Sequence, residues 1–184
     1  VTVRPPSGSI VGSACDLLTG WAAPDAEQDR LRRHFVDHLQ RHADGWSRSC
    51  PGRHLTASTM IISPDGGQVL LTLHRKIGRW LQTGGHIEPG DHDLPAAALR
   101  EATEESGLPV IEIGDILLLS RHAVACGPVR PTFHLDVQFL AVADAGQRAV
   151  VSAESEQVGW FAVDRLPDVD DSVRRLVEAA RAAL

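Results

Sequence analysis

The sequence is short of several things, and each shortage narrows the reading. Its 184 residues hold three cysteines, Cys15, Cys50 and Cys126. They are odd in number, far apart and in no paired spacing. Neither a disulfide framework nor a cysteine zinc site is expected from them. They read as reduced thiols, and the expected setting is the cytoplasm. No run reaches the ~18 apolar residues that a membrane span needs, so no membrane partner is expected. The first ten residues include Arg4, Pro5, Pro6 and Gly8 and lack the apolar stretch of a secretory signal. Positive charge is also short. Lys and Arg number 18 against 24 Asp and Glu, a formal net charge of -6. A broad nucleic-acid surface would be basic, so none is expected. A small phosphorylated partner stays open, because a bound cation can supply the missing charge. The sequence has no internal repeat and no low-complexity block. It also lacks a Gly-x-Ser-x-Gly elbow, a phosphate-binding P-loop and a Cys-x-x-Cys pair.

What is present suits a globular core: 43% of residues are hydrophobic and 23% charged. The length fits one domain with an extension. Residues 1–24 carry turn formers and give no clear element. Residues 25–43 read as a helix, with Leu31, Phe35 and Leu39 on one stripe. Pro24 and Asp25 mark its start and Gly45 its stop. His34, His38 and His42 also lie four apart on it. With no acidic or cysteine partner evident, they read as a solvated face. The loop from Arg48 to Arg53 is the candidate boundary.

From Leu55 the texture becomes β-rich. Thr56 to Ser63 and Gln68 to His74 flank the turn signal Pro64-Asp65-Gly66-Gly67, which predicts a hairpin. The stretch from Arg75 to Gly90 reads as loop-rich. Leu94 to Ser106 predicts a helix, with Asp93 as N-cap, Pro95 in the first turn and Gly107 past its end. Ile111 to Ala125, Phe133 to Ala143 and Val158 to Val163 are further strand candidates. His134 and Asp136 share one face of theirs, directed either at a cleft or at solvent. Asp171 to Leu184 predicts a closing helix with Val173, Leu176, Val177 and Ala180 on one face. Strands and helices in this order suggest a mixed sheet covered by helices.

The chemistry concentrates on the predicted central helix. Glu101, Glu104 and Glu105 lie at i, i+3 and i+4 and share a face. Three carboxylates there repel one another, and near a helix C-terminus they oppose its dipole. A hard divalent cation reverses that penalty. Arg100 can brace a carboxylate through paired hydrogen bonds. Three glutamates alone would more often be a wet acidic face. Gly84, Gly85, Arg100 and Gly107 around them shift the balance.

With those residues in place the sequence resembles the Nudix hydrolase family. The family signature is Gly, five residues, Glu, seven residues, Arg-Glu, an apolar residue, any residue, Glu-Glu, any residue, Gly and an apolar residue. Gly85, Arg100-Glu101, Glu104-Glu105, Gly107 and Leu108 match, and Ala102 takes the apolar position. Two departures occur. Asp91 stands where the family has its first Glu, and eight residues rather than seven separate it from Arg100. One residue is therefore inserted before the helix.

The resemblance implies an α/β/α sandwich with a mixed β-sheet over residues 54–184, preceded by a helical N-terminal extension over 1–53. Two roles are open to the extension: a cap over the cleft or a homodimer contact. The resemblance also implies that Glu101, Glu104 and Glu105 hold magnesium or manganese, joined by the carbonyl of Gly84. Arg100, Glu104 and Glu105 become catalytic candidates. Glu88 would brace the loop. Glu154, with Glu156 second, is the candidate for a later-loop base, or else a surface charge. Arg75, Lys76 and Arg79 either stabilise a leaving phosphate or form a solvated basic turn. Trp80 either stacks on a base or is buried. The implied activity is metal-dependent hydrolysis of a phosphoanhydride. The substrate would be a nucleoside diphosphate linked to another moiety, or a nucleoside triphosphate. A nucleotide-sensing module without turnover and an allylic diphosphate isomerase are the two rivals. The isomerase needs a cleft-facing Cys and Glu pair, for which Cys50 and Cys126 offer no recognisable setting.

Overall fold

A computed structural model describes residues 8–108, 111–126, 129–151 and 155–184. The element order is α1 (Ile10–Gly20), α2 (Ala26–Arg41), β1 (Arg53–Ile62), β2 (Gln68–His74), β3 (Arg79–Leu81), β4 (Thr83–His86), α3 (Leu94–Ser106), β5 (Glu112–Val124), β6 (Thr132–Val142), β7 (Ser155–Ala162) and α4 (Asp171–Ala182). The sheet runs β3-β2-β1-β6-β5, with β4 paired to β1 and β7 to β2. This is the expected α/β class, a mixed sheet with flanking helices.

Two compact units divide the chain. The first holds the described residues of 1–57, 85–97 and 118–137. Helix α1 starts at Ser9, whose hydroxyl accepts the Gly12 N–H at 3.1 Å. That bond satisfies one of the donors a helix start leaves open. Sequence reasoning found no element here, because Gly12 and Gly20 dilute the helical signal. Packing compensates, since Val11, Ala14 and Leu18 are buried and α1 lies against α2. Helix α2 starts at Asp25, whose carboxylate accepts the Gln28 N–H at 2.8 Å. Phe35 and Leu39 of its predicted stripe are fully buried and Leu31 half-buried.

Buried Gln28 on α2 has a distinctive partner. Its side-chain oxygen accepts the Leu119 N–H at 2.6 Å, and its NH2 donates to the Leu119 carbonyl at 3.1 Å. A side-chain amide thus pairs with β5 as a neighbouring strand would.

The histidines of α2 do not form a solvated face. His38 is buried, with Nε2 3.3 Å from the Gly45 carbonyl. His34 Nε2 lies 3.1 Å from an Arg53 guanidinium nitrogen. His42 alone is exposed, and Asp44 and Cys50 do come near it. Helical periodicity misplaced His38 because the turn at Gly45 folds back over that side of the helix. The strand face carrying His134 and Asp136 is covered too. Asp136 is buried and accepts the Thr56 hydroxyl at 2.8 Å.

The second unit holds the described residues of 58–84, 98–117 and 138–184. The hairpin turn forms as its residues predict. The Asp65 carboxylate accepts from the Ser63 hydroxyl at 2.5 Å and from the Gly67 N–H at 2.9 Å. Gly66 takes φ +67, a left-handed conformation that costs glycine little. Strand β2 pairs antiparallel with β1, β3 and β7. Strands β3 and β4 lie in the stretch expected to be loop. Both are short, and β3 depends on a ladder from Thr72 to His74 rather than on any pattern of its own. The core joins Ile61, Leu70, Ala102, Leu108, Ile111, Ala141 and Ala143. Burying a side chain the size of Leu70 stabilises by about 1.5–3 kcal/mol. Helix α4 is capped by Asp170, which accepts the Val173 N–H at 3.1 Å, and buries the predicted Val173, Leu176, Val177 and Ala180.

Candidate active site

Helix α3 carries the signature residues, and local chemistry sets both its ends. Asp93 caps the start by accepting the Ala96 N–H at 2.8 Å. Pro95 sits in the first turn, where its missing N–H leaves no gap. At the other end Gly107 takes φ +65, and its N–H donates to the Thr103 carbonyl at 2.9 Å. A second constraint acts on Gly107. A Cβ there would lie 2.6 Å from the Val150 Cβ. Val150 is held in place, since its N–H donates to the Ser106 carbonyl at 2.8 Å. Conformation and space therefore both demand glycine. Ala102 faces the core, fully buried, and so fixes which sides of the helix its neighbours occupy.

The three glutamates differ in exposure and partners. Glu101 is 14% exposed at its side chain, and the Arg100 guanidinium lies 2.9 Å away. Glu104 is 60% exposed and lies 3.3 Å from the same Arg100 nitrogen. Arg100 thus bridges two of the three carboxylates and relieves their repulsion. Glu105 is buried and accepts the Gly84 N–H at 2.9 Å. That bond ties the helix to β4 through Gly84, the residue before the signature's first glycine. Thr83 anchors β4 beside it, its hydroxyl donating to the Thr59 carbonyl at 3.0 Å.

The inserted loop has an internal brace. Asp91 accepts the Glu88 N–H on its carboxylate at 2.8 Å and returns its own N–H to the Glu88 carbonyl at 3.0 Å. The shorter acid at the signature's glutamate position therefore closes a turn, while the Glu88 side chain is exposed.

The basic residues are exposed, with modest partners. Arg75 donates to the Ser155 carbonyl at 3.3 Å, and Arg79 stands 3.9 Å from Asp170. Lys76 is exposed, its backbone N–H donating to His74 Nδ1 at 3.2 Å. Trp80 is half-buried and packs edge-on against Phe161, ring centres 4.7 Å apart. Glu156 is exposed on β7, and Glu154 lies outside the described residues.

A second group of ligand-type side chains was not singled out from the sequence. His54, His86, Cys126 and His134 present ligand atoms all within 4.8 Å of one another. Burial, then repulsion from neighbouring imidazoles, holds His54 down to about 4 and His134 to about 3. His86 is also held below the ordinary range, chiefly by burial. No sequence spacing links these four positions, so only folding reveals them.

Comparison with known proteins identifies the family. The chain is similar to the NAD-capped RNA hydrolase NudC of Chromobacterium violaceum, with 28% identity over 146 residues. The match covers 75% of this chain and 52% of that protein, so the chain spans about half the relative's length. Among solved structures, the MutT NUDIX hydrolase of Burkholderia pseudomallei is 25% identical with a TM-score of 0.54, covering 69% of this chain and 97% of that one. The Ap4A hydrolase of C. elegans, solved as a binary complex, shares the fold at 20% identity with a TM-score of 0.58, covering 70% and 96%. The NUDIX domain matches residues 52–180, most of the chain, and the chain belongs to that family.

Proposed function

We propose that this chain is a divalent-metal-dependent pyrophosphohydrolase. Its substrates would be nucleoside diphosphates linked to a second moiety, or nucleoside triphosphates cut to the monophosphate and pyrophosphate. The carrying observation is the bridged set on α3, in which Arg100 holds Glu101 and Glu104 while Glu105 is tied to Gly84. The names of the relatives, hydrolases of NAD-capped RNA and of Ap4A, support a phosphoanhydride as the bond cut.

The donor set fits a hard cation. It consists of oxygen ligands on successive positions of one helical face, with one carboxylate already bonded in place. Glu101, Glu104 and Glu105 would hold magnesium or manganese, with the Gly84 carbonyl as a further oxygen. Bound there, the ion supplies the positive charge that a diphosphate needs and orients its oxygens. The chain's own groups do the rest. Arg100 keeps Glu101 and Glu104 in register. Glu104, the most exposed of the three, has the access to solvent that a proton acceptor for the attacking water needs. Glu154 is the second candidate for that proton. Arg75, Lys76 and Arg79 lie on an exposed stretch before β4 and would meet the phosphate that departs. Trp80 would flank the substrate from its seat on Phe161. Residues 54–184 form the catalytic domain in this reading, with 1–53 as its extension.

A phosphate-release screen over nucleotides, nucleotide sugars and dinucleoside polyphosphates, run with magnesium, tests the proposal. Release from at least one diphosphate class is expected, and Glu104→Gln should abolish it. Full turnover in that variant, or no release from any diphosphate by the parent protein, overturns the reading.

A further inference from the structure

We infer that His54, His86, Cys126 and His134 form a closed structural site for a zinc-class transition-metal ion, separate from the carboxylates of α3. The four come from different places in the chain. His54 lies near the start of β1, His86 ends β4, Cys126 follows β5 and His134 is on β6. All belong to the first compact unit.

Three observations point to a metal rather than to a satisfied polar core. The first is convergence, with one ligand atom from each residue inside a 4.8 Å limit. Cys126 Sγ and His86 Nε2 stand 3.4 Å apart. The His54 ring centre is 5.2 Å from that of His86 and 5.0 Å from that of His134, and His86 and His134 are also 5.0 Å apart. Three imidazoles thus bring one ring nitrogen each toward the Cys126 thiol.

The second is the state of those nitrogens. His54 has no exposed surface, and both its ring nitrogens lack a hydrogen-bond partner among the described residues. Nε2 of His134 is likewise buried, with no partner among the described residues. A buried polar atom left unsatisfied costs about 1–3 kcal/mol. Folded proteins seldom carry several such atoms together unless something absent from the polypeptide satisfies them. A single metal ion would satisfy one nitrogen on each ring at once.

The third is the chemistry of the set. Three imidazoles and one thiol are borderline-soft donors, suited to tetrahedral zinc rather than to magnesium or calcium. Four protein ligands also leave no open position, which marks a structural site. Local charge works against a bare cation. Arg48 acts electrostatically on His54, His86 and His134, so a cation needs compensation there. Cys126 supplies it by binding as the thiolate and releasing its proton to solvent as the ion enters.

Occupancy would fasten four segments that are distant along the chain. One is β4, whose His86 lies two residues after Gly84. A transition metal would thereby anchor the His86 end of that strand.

The test is metal content of the full chain, purified without chelator and reconstituted with zinc. Elemental analysis should find one zinc per chain that survives gel filtration. Cobalt substitution should give the visible bands of a tetrahedral site together with a thiolate-to-cobalt band. Cys126→Ser should remove the thiolate band, and His54→Ala or His134→Ala should lower zinc below half occupancy. Glu104→Gln should keep it. Circular dichroism identifies any variant that fails to fold, and in that event the thiolate band of the parent protein decides alone. Absence of stoichiometric zinc from the reconstituted parent overturns the site. So does zinc that persists unchanged in folded Cys126→Ser and His54→Ala proteins, or a cobalt spectrum without thiolate character.

Discussion

The protein gathers ligand-type side chains in two ways. The glutamates of α3 sit within five residues on one helix, and the helical repeat puts them together before any tertiary contact forms. The histidine and cysteine group is spread from residue 54 to residue 134 and meets only when β1, β4 and β6 have paired. The first arrangement is written in local spacing. The second exists only as topology. The two also differ in what restrains them. The carboxylates are relieved by Arg100 and Gly84, whereas two imidazoles of the other group are buried with nitrogens that have no partner among the described residues.

The comparison can be broken most sharply at Glu104. Glu104→Gln removes charge without shape, and turnover should fall by on the order of 10²–10⁴-fold while the fold persists. Steady-state kinetics with magnesium reads this out, and near-parental kcat would separate the acidic face from catalysis. A smaller effect is expected from the helix stop. Gly107→Ala meets both a left-handed φ and the Val150 Cβ, so stability should drop by about 1–3 kcal/mol, seen as a lower urea midpoint. An unchanged midpoint would mean that Val150 yields freely.

His38 is the natural control for the unpartnered histidines, since it is buried but faces the Gly45 carbonyl. Burial, then repulsion from His42, lowers its folded value from 6.5 to about 4. Between those values the unfolded chain binds a proton that the folded chain does not. Stability from this group is therefore full above pH 6.5 and is lost as pH falls toward 4. Thermal unfolding across that window should show the decline, and His38→Gln should flatten it by on the order of 1–2 kcal/mol. An identical slope in the variant would assign the decline to other groups. The smallest effect is at the helix start, where Asp93→Ala should cost about 1 kcal/mol by thermal melt. No change would mean that the inserted residue has transferred the cap elsewhere.

These residues also show what the sequence made legible. The limits of α3 were readable because Asp93, Pro95 and Gly107 act within one turn of their own positions. The hairpin turn was readable for the same reason, through Asp65 and Gly66. Strands β3 and β4 were not, because their short runs depend on partners elsewhere in the sheet. Helix α1 was obscured by glycines that packing tolerates. The acidic set followed from spacing, with Arg100 adjacent. The histidine group escaped because cysteine counting weighed Cys126 against other cysteines, while its neighbours in space are histidines from three strands. The burial of His38 escaped for a related reason: the turn at Gly45 that covers it leaves no trace in helical periodicity.

The Gln28 contact with Leu119 bears on how open the edge of the sheet is to other chains. Strand β5 ends the sheet, and a terminal strand offers its backbone to any other chain in need of a partner. One side-chain amide occupies both hydrogen-bonding groups of Leu119, so an incoming strand finds that position already taken. Helix α2 thus acts as a guard on the open flank of the sheet. Its loss would free the Leu119 backbone, with self-association in concentrated solution as the expected sign.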